Sequence, residues 1–238
     1  GADLVVAADD PIPERWRERA RALGLRTAVY LTFPSVIVAD GRTELVSVKA
    51  VGPGYPLRGT VRLSDTPFGP GESAAGIPER GRLWLDPRLF PRLGTSVGAS
   101  LPLGRAELEV AASLAHEPDR GGALFQLAPR VMINRADLPA TGLITDASRT
   151  GHHLLVAGPE PAVAELRRWA GQRAGEGVEL QGVTDARPEM RAALERAGTF
   201  LGLAAVMAVM LAGAAVAVAV IAFIAREADT AALKRCFG

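Results

Sequence analysis

The spacing of apolar residues changes several times along the chain, and each change marks an element. Asp3–Ala8 (DLVVAA) is a short β-rich run. Asp9, Asp10 and Pro11 lead into a helical pattern from Pro13 to Leu23, closed by Gly24, with Trp16, Ala20 and Leu23 on one face. Arg26–Phe33 and Ser35–Ala39 read as two strands interrupted by Pro34. Asp40-Gly41 is a hairpin turn signal, and Glu44–Val51 returns as a strand. The opening is thus a β-α-β-β unit.

A Gly/Pro-rich middle follows, from Gly52 through a loop-like stretch at Ser64–Arg80. Short strands are predicted at Thr60–Leu63, Arg82–Leu85, Ala99–Leu103 and Glu107–Leu114, with a short helix at Pro87–Leu93. His116–Gly122 is a polar turn, Pro129–Asn134 a strand and Arg135–Ala140 a helical turn. His152–Val156 (strand), Pro159–Gln172 (amphipathic helix) and Gly177–Val183 (strand) close the pattern. The chain's two ends therefore predict one α+β subdomain with a β-rich insertion.

From Ala186 the pattern turns helical and enters an apolar run, Thr199–Ala225, of 27 residues without a charge, Asn, Gln, His or Pro. Some 20 such residues cross a bilayer core, and this run is roughly 40 Å long as a helix. A buried helix of a soluble domain is the competing reading. A signal peptide is excluded, because the run lies near the C-terminus. Gly198 and Gly202 form a GxxxG, and Ala204, Ala208 and Ala212 continue a four-residue spacing that permits close helix packing in lipid. Alanine-rich composition alone accounts for the same spacing. Arg187, Arg191 and Arg196 before the run balance Arg226, Lys234 and Arg235 after it, so charge sets no orientation.

Composition adds exclusions. The 238 residues carry 27 basic and 26 acidic groups, a net charge of +1, and 5% aromatics, which gives no footprint for nucleic acid. Only Lys49 and Lys234 are lysines. The single cysteine, Cys236, forms neither an intrachain disulfide nor a cysteine zinc site. Gly94-Thr95-Ser96-Val97-Gly98 matches G-x-S-x-G, but a helix precedes it and a strand follows, the reverse of a nucleophile elbow. It reads as a helix-to-strand turn. His116, His152 and His153 are expected in surface or capping roles, and the glycines at 52–59 lack the Gly-Lys-Ser/Thr ending of a phosphate loop. No catalysis, metal or cofactor is expected.

Several stretches in order carry more information than any single motif: Phe33–Gly59, Leu83–Gly94 (LWLDPRLFPRLG), His116–Ile144, and the apolar run ending in READTAALKRCFG. Together they resemble the large extracytoplasmic region and second transmembrane helix of ABC transporter permeases of the YbbP type, in the FtsX-like, MacB-like superfamily. The resemblance covers essentially the whole chain.

The resemblance implies an α+β, MacB-like periplasmic domain followed by one long transmembrane helix. Residues 1–55 and 129–185 would form a porter-like subdomain and 56–128 the inserted β-rich one. Residues 186–225 would be stalk and membrane helix, and 226–238 the start of a cytoplasmic coupling segment. It further implies membrane helices upstream of Gly1 and downstream of Gly238, and an inner-membrane location with residues 1–198 mostly periplasmic. The expected partners are a separate ABC ATPase subunit, a second permease copy, membrane lipid, and an envelope protein or lipid-like substrate. Arg226, Glu227, Asp229, Thr230, Leu233 and Lys234 become candidate ATPase-coupling residues. Gly198, Gly202, Ala204, Ala208 and Ala212 become candidate membrane-packing residues. A second expectation is a membrane-tethered periplasmic binding or scaffold domain that regulates an envelope partner without transport.

Overall fold

A computed structural model describes residues 1–120, 128–145, 148–173, 177–182, 202 and 205–224. The chain divides into two units, Gly1–Ala186 and Arg187–Gly238. The first unit is α+β. Its elements are β1 (Leu4–Ala8), α1 (Glu14–Ala22), β2 (Arg26–Ala39), β3 (Arg42–Val51), β4 (Arg62–Ser64), β5 (Glu72–Ser73), β6 (Arg82–Leu85), α2 (Leu89–Leu93), β7 (Ser100–Leu103), β8 (Ala106–His116) and β9 (Arg130–Asn134). A 3-10 turn (Arg135–Asp137) then runs into α3 (Leu138–Thr141), followed by β10 (Gly151–Ala157), α4 (Glu160–Gly171) and β11 (Val178–Gly182). The second unit is described only in its helix, α5 (Ala205–Ile224).

All the strands join one sheet in the order β11-β1-β10-β2-β3-β9-β6-β8-β4-β5, with β7 paired to β8. The β3–β9 and β6–β8 pairs are parallel, and the other pairs are antiparallel. Strands from residues 1–55 and 129–185 make one continuous stretch of the sheet, and those from 56–128 make the other. The two meet where β9 pairs with β6.

The opening β-α-β-β unit forms as expected, with one correction. Pro34 does not break a strand: β2 runs straight through it. Pro34 lies opposite Ser47, and the Ser47 N–H points away from β2, donating to the Pro129 carbonyl at 2.9 Å. This pair therefore exchanges no backbone bonds, and the missing Pro34 N–H is one the β2–β3 ladder does not use. Asp40 and Gly41 both adopt positive φ, 49° and 73°, the pattern of the two-residue hairpin their sequence signals.

Packing follows from the two periods. Trp16 and Ala20, one helical turn apart, bury against Leu4, Val6, Leu154 and Val156, together with Val163, Leu166 and Ala170 of α4. Trp16 also meets the edge of Trp169, with ring centroids 5.1 Å apart. On β3 the alternation splits the strand. Val46, Val48 and Ala50 join a core with Leu83, Leu85, Leu89 and Leu93. Val51 faces the opposite core, with Tyr30, Tyr55 and Met132. Ser47 and Lys49 share the face of Val51, so a lysine is sent into the interior.

Trp16 is 1% exposed. Trp16→Ala is expected to lower unfolding stability by about 3–5 kcal/mol, measured by chemical denaturation followed by circular dichroism.

Candidate functional site

Lys49 is 1% exposed and sits in the middle of the sheet. Its ammonium donates to Glu117 Oε1 at 2.6 Å, Asp119 Oδ1 at 2.9 Å and the Tyr55 hydroxyl oxygen at 2.9 Å. All three of its protons thus have acceptors. Tyr55 in turn donates to Asp119 Oδ1. The same ammonium lies 4.0 Å from the Tyr30 ring centroid and 4.5 Å from that of Tyr55. Arg130 extends the network from β9: its Nε donates to Glu117 Oε2 at 3.1 Å and its Nη1 to Ser47 Oγ at 2.6 Å. Two cations and two carboxylates therefore share one buried volume with no net charge.

A second knot adjoins it. Asp86 follows β6 and is 1% exposed. It accepts from Arg88 Nε at 2.9 Å, from Arg120 Nη2 at 2.7 Å and from the Arg130 backbone N–H at 3.3 Å. Burial pushes its carboxyl up, but the hydrogen bonds from Arg88 and Arg120 outweigh this and hold its pKa at about 2. At Asp119 burial likewise pushes up, and the Lys49 charge with the Tyr55 and Lys49 hydrogen bonds keeps the carboxyl below its ordinary range. Burial raises both tyrosine hydroxyls, with the Asp119 charge adding to it.

His153 departs from the surface role expected of it. It stacks on Tyr30 with centroids 4.3 Å apart and planes 13° from parallel, on β10 directly opposite Tyr30 of β2. Its Nε2 lies 3.2 Å from Thr32 Oγ1, and its buried Nδ1 has no partner among the described residues. Burial, with Lys49 nearby, lowers its pKa to about 4. His152 faces the other way and is also lowered, chiefly by burial.

Chemically the cluster is a clasp. It ties β3, the Tyr55 loop, the end of β6, the 117–120 turn and β9 to one another. The two clefts described are lined by other residues: one of about 410 Å³ by Arg58, Gly158 and α4, and one of about 340 Å³ by Val38, Leu93–Ser96 and Ala99–Pro102. Among the described residues no group of three His, Cys, Asp or Glu side chains is placed to hold a metal ion. Ser96 sits in a turn between α2 and β7 whose glycines, Gly94 and Gly98, have φ of 67° and 87°. This is the helix-to-strand turn read from the sequence.

The expected membrane residues fall as follows. Helix α5 is long and apolar enough to cross a membrane, and none of its hydrophobic window is buried within the chain. Ala208 and Ala212 lie one turn apart on it, and Gly202 is helical and exposed. Gly198 and Ala204 lie outside the described residues, as do Arg226, Glu227, Asp229, Thr230, Leu233 and Lys234. Lys49 was legible only as one of two lysines in an arginine-rich chain. Its partners, 68 and 70 residues away, carry no local signal.

No family model matches the chain. Over 236 residues, 99% of its length, it is 30% identical to an uncharacterized ABC transporter permease, YbbP, of Escherichia coli strain K12. The resemblance drawn from the sequence thus holds across almost the whole chain, which spans 28% of that permease. Among solved structures it is similar to the periplasmic region of MacB from Actinobacillus actinomycetemcomitans, at 11% identity and TM-score 0.47, covering 80% of this chain and 94% of that one. It is also similar to the extracellular domain of YknZ, a noncanonic ABC-type transporter of Gram-positive bacteria, at 12% identity and TM-score 0.46, covering 75% and 100%.

Two outcomes test the cluster. Lys49→Met strands Asp119 without its cation and is expected to cost about 3–5 kcal/mol in denaturant unfolding. Lys49→Met with Asp119→Asn should recover part of that loss. For His153 the folded pKa lies below the unfolded value, so the unfolded state binds more protons between pH 6.5 and 4. Stability present above pH 6.5 is therefore lost as the pH falls to 4, by at most about 3 kcal/mol before solvent screening reduces it. Asp86 and Asp119, both held low, withdraw theirs only below about pH 4. In a melting-temperature series against pH, His153→Gln should flatten the upper limb alone.

Proposed function

We propose that the chain is the extracytoplasmic domain and adjoining membrane helix of an ABC transporter permease subunit. The observation that carries this is α5: a 20-residue apolar helix, wholly exposed within its own chain, in a sequence similar to a permease from end to end. An exposed helix of that length without a charged residue is at home in hydrocarbon and costly in water.

On this reading residues 1–198 stand mostly outside the inner membrane. Residues 1–55 with 129–185 form the porter-like subdomain, and 56–128 the inserted one. The order of strands in the sheet, with those of 1–55 and 129–185 on one side of the β9–β6 pair and those of 56–128 on the other, supports that division. A separate ATPase engages the segment after α5, where Arg226, Glu227, Asp229, Thr230, Leu233 and Lys234 offer both signs of charge. Gly198, Gly202, Ala204, Ala208 and Ala212 line the face that packs against a neighbouring membrane helix, belonging to this subunit or a second copy. The sequence pattern continues the helix from about residue 187, outside the described residues, and such a helix would carry ATP-driven closure of the ATPases outward, because a continuous helix transmits displacement that a loop absorbs. The domain itself performs no catalysis. It positions an envelope protein or lipid-like substrate.

Purifying the full-length protein from membranes should bring down a stoichiometric ATPase subunit. Without one, the membrane-tethered binding domain takes precedence. In the assembled complex, a Gly-Pro insertion after Ala197 should leave basal ATP hydrolysis intact and abolish its coupling to outer-domain movement. Movement that persists in step with hydrolysis overturns the rod.

A further inference from the structure

The loop between β4 and β5 holds a conformation that one of its residues resists. Thr66–Gly69 closes a turn in which the Gly69 N–H donates to the Thr66 carbonyl at 3.2 Å. Pro67 fixes its own φ near −65°, and Phe68 stands at φ 60°. Those signs belong to a type II turn, whose third position ordinarily falls to Gly or Asn. A bulky L-residue there strains the backbone. Packing does not compensate for the strain, because Phe68 is 70% exposed.

The loop beneath it is braced. The Arg62 guanidinium donates twice to the Gly71 carbonyl, at 2.9 and 2.6 Å, and Ser64 Oγ accepts the Thr66 N–H at 3.3 Å. A side chain at Gly69 would collide with Ser64 and Thr66. The ring is thus presented on a rigid support, with little entropy left to lose on contact, as a recognition anchor requires.

We propose that the Phe68 loop is a docking finger whose ring enters an apolar pocket on a partner protein. The surrounding charge specifies the rim of that pocket. The exposed acids of the loop and the strand it enters are Asp65 and Glu72, whereas Glu79 is paired with Arg82 at 3.1 Å and the Arg62 guanidinium is turned onto the Gly71 carbonyl. Asp65 and Glu72 match a pocket rimmed by Lys or Arg better than an anionic lipid surface. This inference stands apart from the transport reading.

The test places p-benzoylphenylalanine at Thr66 in the full-length chain in its host cells. Irradiation should yield one discrete protein adduct, mapped beside basic side chains of the partner. Phe68→Gly in the same chain relieves the strained φ, so its melting temperature should rise by about 2–4 °C, which shows that the loop is still folded. The adduct should fall at least about tenfold. An adduct to phospholipid alone, no protein adduct, an adduct indifferent to Phe68→Gly, or a lowered melting temperature each overturns the finger.

Discussion

A positive charge in the middle of a sheet is the constraint from which much of the first unit's architecture follows. Lys49 stands on β3 where its alternation directs it inward, and an ammonium there is intolerable alone. Neutralising it draws in Glu117 and Asp119 from beyond β8. Glu117 in turn engages Arg130, whose backbone is held by Asp86. Glu117 and Asp119 come from the one turn after β8, Arg130 from β9 and Asp86 from the end of β6, so the network fixes how the segment after β8 meets β3 and β9. An apolar residue at 49 would bury as well but would select no particular partner. The ion cluster is best understood as specifying an arrangement, at little net gain in stability.

Legibility in the sequence followed the locality of the forces. The Asp40-Gly41 hairpin, the face of α1 through Trp16 and Ala20, and α4 are encoded locally and formed where their patterns placed them, and the long apolar run is helical over its described stretch Ala205–Ile224. Pro34 was misleading because the rule against proline in strands depends on which way the missing N–H would have pointed, and that is known only once β3 and β9 are in register. The clasp was invisible for a related reason. Nothing near Lys49 announces acids almost seventy residues on. His153 looked like a surface residue because its neighbour Tyr30 lies on another strand.

The two units distribute their apolar residues differently. In the first, the buried charges Lys49, Asp86, Glu117 and Arg130 are paired, and the buried apolar residues gather into three clusters. In α5 the apolar residues face outward on every side, which suits a medium with no hydrogen bonds to offer. The similarity to a permease and the physics of that helix point the same way, and neither depends on a catalytic group.

The passage of β2 through Pro34 bears on how a free sheet edge is kept from pairing with another chain. Beyond Thr32, where β10 ends, the outer edge of β2 has no partner strand among the described residues. Val36 and Val38 lie exposed along this overhang. An apolar strand with a free edge is a template on which another chain adds and aggregation begins. The residue opposite Ser47 is the first whose donor would point out along that edge, and it is the one residue type that has none. Pro34 costs the hairpin nothing and denies an incoming strand its first hydrogen bond.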